Sequence, residues 1–216
     1  MRDFIVNLKT CYQTCINNFY YNDSMKKRCQ WAEDALFQSY HDSEWGVPVH
    51  DDRKHFEFLI LESAQAGLSW ATILKRREGY RKAFCDFDPM IVAKFIDNDF
   101  ESLLQNPAII RNRLKIKSAI NNARRFLDVQ EAFGSFDRYI WQFVNYSPII
   151  NNWEFLSQIS STSEESVELS KDMKSRGFTF VGPTILYAHM QAIGMVNDHV
   201  VSCFRYDEIN QLCISE

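Results

Sequence analysis

The stretch that most limits how this chain can fold is Glu57–Trp70, EFLILESAQAGLSW. It is apolar or small almost throughout, and a carboxylate, Glu62, stands in its middle. Ionised carboxylates are hardly ever fully buried without a partner, because desolvating the charge costs far more than burying a neutral polar group. Phe56, Leu59, Ile60, Ser63 and Ala64 recur at helical spacing and define an inward face. Glu62 falls at the border of that face, Gly67 ends the helix, and Trp70 follows within a turn. The expectation is a shielded acid near a helix end with a large aromatic plate beside it. Such a site suits a flat, hydrogen-bonding or cationic ligand. Taken alone, the stretch fits a core tryptophan and an acid paired with Arg or Lys at least as well.

A chain of 216 residues is long enough to bury a sizeable core as one domain or two small lobes. No apolar run approaches the length of a membrane span. The N-terminus carries early charges (Arg2, Asp3, Lys9) and lacks a hydrophobic secretory core, so a cytoplasmic protein is expected. Six cysteines at irregular spacing do not make a disulfide framework at this length and read as free thiols or metal ligands. A net charge of −4 excludes a broad nucleic-acid coat but leaves room for a local basic patch.

Residues 1–24 read as an extension outside the core, with Cys11 and Cys15 inert, and a basic MKKRC opens the core domain at Met25. Between Cys29 and Gly46, Trp31, Phe37, Tyr40 and Trp45 crowd around His41, more aromatics than one small helix needs. They line a cavity or plug a loop-rich end of the core. Asp88-Pro89 starts a helix, and a further short helix begins at Asp97–Asp99 and breaks at Asn106-Pro107. Arg111-Asn112-Arg113 is the tight turn into a long helix striped by Ile116, Ile120, Ala123 and Leu127. Ser135 caps the next helix, and 150–163 is an irregular connector. Thr162 and Glu165 form a capping box for a helix ending at Gly177. Gly182-Pro183 opens the last main helix, and residues 209–216 read as a polar tail after a domain spanning 25–208. The expected fold is all-α, built from many short helices.

His199 and Cys203 are four apart, so a helix would project them from one face, and Cys29 and His41 offer the same ligand types near the other end of the chain. Together they would close a Cys₂His₂ zinc site with no position left for water; the alternative is two core histidines beside two core thiols. Basic groups gather at Lys75–Lys82 and at Arg111–Lys117 with Arg124 and Arg125. Charge runs usually form solvated faces. The apolar Ile109, Ile110, Leu114 and Ile116 around a short turn favour instead a helix–hairpin–helix that offers backbone N–H groups and Arg111, Arg113 and Lys115 to a DNA backbone.

YHDSEWG (Tyr40–Gly46), LESAQAGLSW (Leu61–Trp70), IIRNRLKI (Ile109–Ile116), RGFTFVGPT (Arg176–Thr184) and NDHVVSC (Asn197–Cys203), in that order, resemble the bacterial 3-methyladenine DNA glycosylase I family from about Arg28 to Tyr206. The resemblance implies an all-helical helix–hairpin–helix glycosylase with a structural zinc joining the N- and C-terminal segments. It implies Cys29, His41, His199 and Cys203 as zinc ligands. It places Glu62 as the catalytic carboxylate, with Tyr40, Trp45 and Trp70 around the base and Trp31 and Phe37 at the rim. The implied reaction is hydrolysis of 3-methyladenine, with 3-methylguanine a further candidate, from alkylated double-stranded DNA by a monofunctional monomer. An ionised Glu62 and an aromatic sandwich would then favour the cationic base. Two departures stand out: one residue fewer separates Cys29 from His41, and Phe37 stands where a tyrosine is expected. A zinc deaminase does not fit, because no P-C-x-x-C follows any H-x-E. A non-catalytic binder of alkylated DNA and a zinc-stapled interaction protein are the remaining alternatives.

Overall fold

Residues 26–214 are described by a computed structural model; residues 1–24, with Cys11 and Cys15, lie outside them. Asp34 caps the first helix, α1 (Ala35–Ser43), by accepting from the Phe37 N–H at 3.0 Å. Two consecutive aspartates then start α2 (Asp52–Gln65). Asp51 is its N-cap, accepting from the Lys54 N–H at 2.8 Å. Asp52 reaches outward and accepts from Gln130 Nε2 at 2.6 Å and from the Phe136 and Asp137 N–H groups at 2.9 and 2.8 Å. One acid therefore satisfies orphan donors at the positive end of a second helix.

The single inward face expected of α2 is a full circumference, since every residue from His55 to Ala64 is buried. A helix apolar nearly all round is a core helix rather than an amphipathic one. The short helices α3 (Trp70–Leu74), α4 (Arg77–Ala83), α5 (Pro89–Val92) and α6 (Asp97–Gln105) follow it, and the long α7 (Arg113–Phe133) and then α8 (Phe136–Trp141) pack against it. A connector leads to α9 (Glu164–Ser175), and α10 (Pro183–Ala192) packs on both α9 and α2. The chain closes with α11 (Phe204–Ile214). The described residues are thus mostly helical. A two-residue parallel pair, Ile149–Ile150 with Val196–Asn197, is the small strand contribution. Among the described residues no helix is long and apolar enough to cross a membrane.

The helix starts read from sequence hold at Asp88 and Ser135, each a side-chain N-cap; Asn112, expected in a turn, also caps α7, which ends at Gly134 (φ +90°). Correction is needed in three places. The box before α9 is Ser163 with Ser166, because Thr162 sits one residue too early to face the first turn. Residues 209–214 continue α11 rather than forming a tail: Ile209 is buried, and Asn210 accepts from Asn197 Nδ2 at 2.8 Å. His199 and Cys203 lie in the turn before α11, not on one helix. At Gly194 (φ +73°) a Cβ would come within 2.4 Å of the Val47–Pro48 backbone, a close approach that only glycine permits.

His189 of α10 is fully buried, and neither ring nitrogen has a partner. Burial, with a contribution from nearby His55, pushes its pKa down to about 3. The unfolded chain therefore takes up a proton near pH 6.5 that the folded chain refuses, so this residue destabilises the fold as pH falls from about 6.5 toward 3. His189→Leu should flatten the pH dependence of stability in that window by about one proton, about 1.4 kcal/mol per pH unit. Urea denaturation at pH 7, 5.5 and 4.5 measures this.

Candidate active site

Four buried ligand atoms converge from the two ends of the described chain: those of Cys29, His41, His199 and Cys203, all within 4.8 Å of one another. Cys203 Sγ lies 3.4 Å from His41 Nε2 and 3.6 Å from His199 Nδ1, which is also 3.6 Å from Cys29 Sγ. The outer nitrogens are held in place. His41 Nδ1 meets the Asp42 carboxylate at 2.8 Å, and Arg28 in turn clasps Asp42 with both Nε and Nη2. His199 Nε2 meets the Trp45 carbonyl at 3.1 Å. Hydrogen bonds from the Cys29 thiol and from the two imidazoles pull the Cys203 thiol well down against burial, while the Cys29 thiol is raised. The arrangement is a donor set that could hold a metal ion.

Trp45 joins this cluster to a cavity of about 600 Å³. Its ring lies 4.6 Å from that of His199 and 5.0 Å from that of Trp31. Trp31 also meets Phe37 edge-on at 6.0 Å, and Tyr40 and Trp70 lie 5.5 Å apart. All five aromatics singled out from the sequence line the cavity with Glu62. Glu62 is 4% exposed and makes no hydrogen bond among the described residues. Burial alone pushes its pKa up to about 8. The Nε1–H of Trp70 is likewise buried without a partner. An unpaired acid and an unpaired donor beside one aromatic cavity are groups waiting for a ligand.

Comparison with known proteins decides the kinship. A family model described as methyladenine glycosylase matches residues 30–206. The chain is 49% identical over 181 residues to DNA-3-methyladenine glycosylase 1 of Escherichia coli K12, covering 83% of this chain and 97% of that protein. It is 44% identical over 180 residues to the DNA-3-methyladenine glycosylase of Haemophilus influenzae, again over 83% and 97%. This chain belongs to the methyladenine glycosylase family. A crystal structure of 3-methyladenine DNA glycosylase I superposes with a TM-score of 0.80 at 49% identity, over 82% of this chain and 98% of the other. A structure on 3-methyladenine recognition by the Staphylococcus aureus 3-methyladenine DNA glycosylase I superposes equally well, TM-score 0.80, at 36% identity over 82% and 95%.

The basic groups of this glycosylase divide differently from the sequence reading. Arg77 forks onto Glu44 at 2.7 Å through both Nη atoms and reaches Glu57 at 2.8 Å, while Lys54 and Arg81 also bind Glu57 at 2.9 and 3.1 Å. The Lys75–Lys82 cluster is thus partly consumed inside the fold. At the turn into α7, Arg111 is exposed, and Arg113 is exposed, pairs with Glu101 at 3.2 Å and lies over the Phe100 ring. Lys115 is half-buried, and burial lowers its pKa. Its Nζ donates to the Ala64 and Ala66 carbonyls at 2.7 and 2.6 Å, so it caps the end of α2 instead of facing solvent.

Sequence reasoning missed the far wall. Thr184, Tyr187, Ala188 and Gln191 line the cavity from α10, and Leu156, Ile159, Ser160 and Ser161 line it from the connector. The α10 set recurs at i, i+3, i+4 and i+7, a partly polar stripe on an otherwise apolar helix, so its signal was present. The connector has no period to read.

Lys115→Met should cost about 1–2 kcal/mol by orphaning the two carbonyls. It should leave the salt dependence of DNA binding unchanged, whereas Arg111→Ala should reduce the slope by about one phosphate contact. Thermal melting and duplex titrations at several salt concentrations separate the two.

Proposed function

We propose that this chain hydrolyses the N-glycosidic bond of 3-methyladenine in alkylated duplex DNA, acting as a monofunctional monomer that leaves an abasic site in base-excision repair. The observation that carries the reading is the unpaired, buried Glu62 in an aromatic box, on a chain about half identical to a named glycosylase. A solved relative, a 3-methyladenine DNA glycosylase I in complex with 3-methyladenine, superposes on this chain with a TM-score of 0.80.

The state of Glu62 revises the expected chemistry. In the free protein no cation offsets its burial, which pushes the carboxyl up to about 8 and favours the protonated form at neutral pH. A carboxylic acid offers one donor and one acceptor, matching the amino group and ring nitrogen on the edge of adenine. The base of an N3-methylated nucleotide is cationic until the bond to the sugar breaks, and the departing electrons neutralise it. The aromatic faces attract that cation through cation–π contacts and stack on the departing neutral base as well, while Glu62 stands ready to bond the base edge. The stacking surface comes from Trp70, Tyr40 and Trp45, with Trp31 and Phe37 at the rim. The base must leave the helix to reach this pocket. The α6–turn–α7 hairpin, with Arg111 and Arg113, is the element that would grip the DNA backbone.

The Cys₂His₂ cluster is read as a structural zinc site. For tetrahedral zinc, metal–sulfur and metal–nitrogen bonds of about 2.3 and 2.0–2.1 Å imply sulfur–nitrogen edges of about 3.6 Å. Three of the six ligand–ligand edges, at 3.4–3.6 Å, match that spacing, and all four ligand atoms lie within 4.8 Å of one another. Four protein ligands leave no open position, so the ion would staple the chain ends rather than activate water. The carboxylate and carbonyl behind the two histidines are the outer partners such a site uses.

Chromatography of bases released from methylated duplex DNA should show 3-methyladenine, with Glu62→Leu slowed by at least about 100-fold. Binding of free 3-methyladenine, followed by tryptophan fluorescence, should weaken above pH 8 as Glu62 ionises. Glu62→Gln, which keeps a donor and an acceptor at every pH, should lose that limb. Binding without release would turn the assignment into a recognition module. Metal analysis should find one zinc per chain, and Cys203→Ser should lose it along with several kcal/mol, about 3 or more, of stability.

A further inference from the structure

Asp198 is 1% exposed, and its two oxygens accept four hydrogen bonds: from Asn151 Nδ2 and Trp153 Nε1, both at 2.7 Å, from Tyr187 Oη at 2.8 Å and from Gln191 Nε2 at 2.7 Å. All four partners are neutral donors. They fill the four acceptor positions that a carboxylate offers. Tyr187 and Gln191 line the base cavity. Asn151 and Trp153 anchor the start of the connector whose later residues line the same cavity. The negative charge therefore lies one side chain behind the wall of the site. Tyr187 has spent its only proton on Asp198, and its oxygen can only accept from whatever enters the cavity.

When the glycosidic bond breaks, the base becomes neutral and positive charge moves to the sugar. Burial pushes the Glu62 carboxyl up to about 8, so it is a weaker counter-charge for that cation than a carboxylate already held by donors. We propose that Asp198 is a positioning residue that orients Tyr187 and Gln191 and supplies the fixed negative charge of the pocket, stabilising the sugar cation through that wall. This rests on the glycosylase reading.

The test compares two abasic-site duplexes at pH 6.5, one with a pyrrolidine ring, cationic at that pH, and one with a neutral tetrahydrofuran ring. The unmodified protein should prefer the cationic ring by about tenfold or more, and Asp198→Asn should remove most of that preference while tetrahydrofuran binding stays within about twofold. Glu62→Gln should retain the preference. Asp198→Asn should also slow single-turnover release of 3-methyladenine by a larger factor than it weakens affinity for the free base. Zinc content and melting temperature control for its neighbour His199. No cation preference in the unmodified protein, its survival in Asp198→Asn, or its loss in Glu62→Gln would each overturn the proposal. Failure to release 3-methyladenine at all would instead sink the glycosylase reading. If Asp198→Asn does not fold, the unmodified protein and Glu62→Gln still decide.

Discussion

Two glutamates on one buried helix are treated in opposite ways, and the rest of the structure follows from that difference. Glu57 is met by Arg77, Lys54 and Arg81, and its carboxyl is held below the usual range despite burial, chiefly through Arg77. Glu62, five residues later, meets no cation, and burial pushes it up to about 8. The first is a structural ion network of the kind that holds helices in place; losing one partner would leave an uncompensated buried charge. The second is an unmatched group that persists because the surrounding packing leaves it no alternative. The fold satisfies one carboxylate fully and leaves the other unpaired at the wall of the cavity.

The aromatic box and the Cys/His cluster are one construction. Trp45 lines the cavity with one part of its structure, packs its ring against His199, and accepts the outer proton of that imidazole on its carbonyl. His41 in turn stacks on Trp45 and packs edge-on against Trp31. Any change in the cluster would be felt at once in the walls of the cavity. The cluster that joins the first described segment to the turn before α11 therefore also sets the spacing of the rings around the cavity. Asp198, the residue before His199, performs the matching task for the far wall through uncharged donors.

Much of this was legible in local sequence, for physical reasons that can be named. Caps at Asp88, Asn112 and Ser135 depend on a side chain a few bonds from the backbone it satisfies, so the signal is local and survives in one dimension. The five aromatics and Glu62 stood out because their burden of ring area and charge exceeds what a small helix needs. Lys115 was misread for the opposite reason. A lysine beside two arginines looks like part of a phosphate patch, and only the arrival of the α2 terminus, fifty residues away in sequence, turns it into a cap. Arg77 was absorbed in the same way by Glu44 and Glu57.

The sequence by itself determined that the chain is helical, where most of its helices begin and end, and which residue types carry the chemistry. Periodicity, capping and composition are short-range properties, and a reader needs no partner to see them. Only the packed fold settles which charges are spent and which are free, that Glu62 meets no cation while Asp198 accepts four hydrogen bonds, and that the unpatterned connector forms a wall of the pocket. Those outcomes depend on desolvation and on donors that reach a group from distant segments. Neither has any trace at the position where its effect is felt.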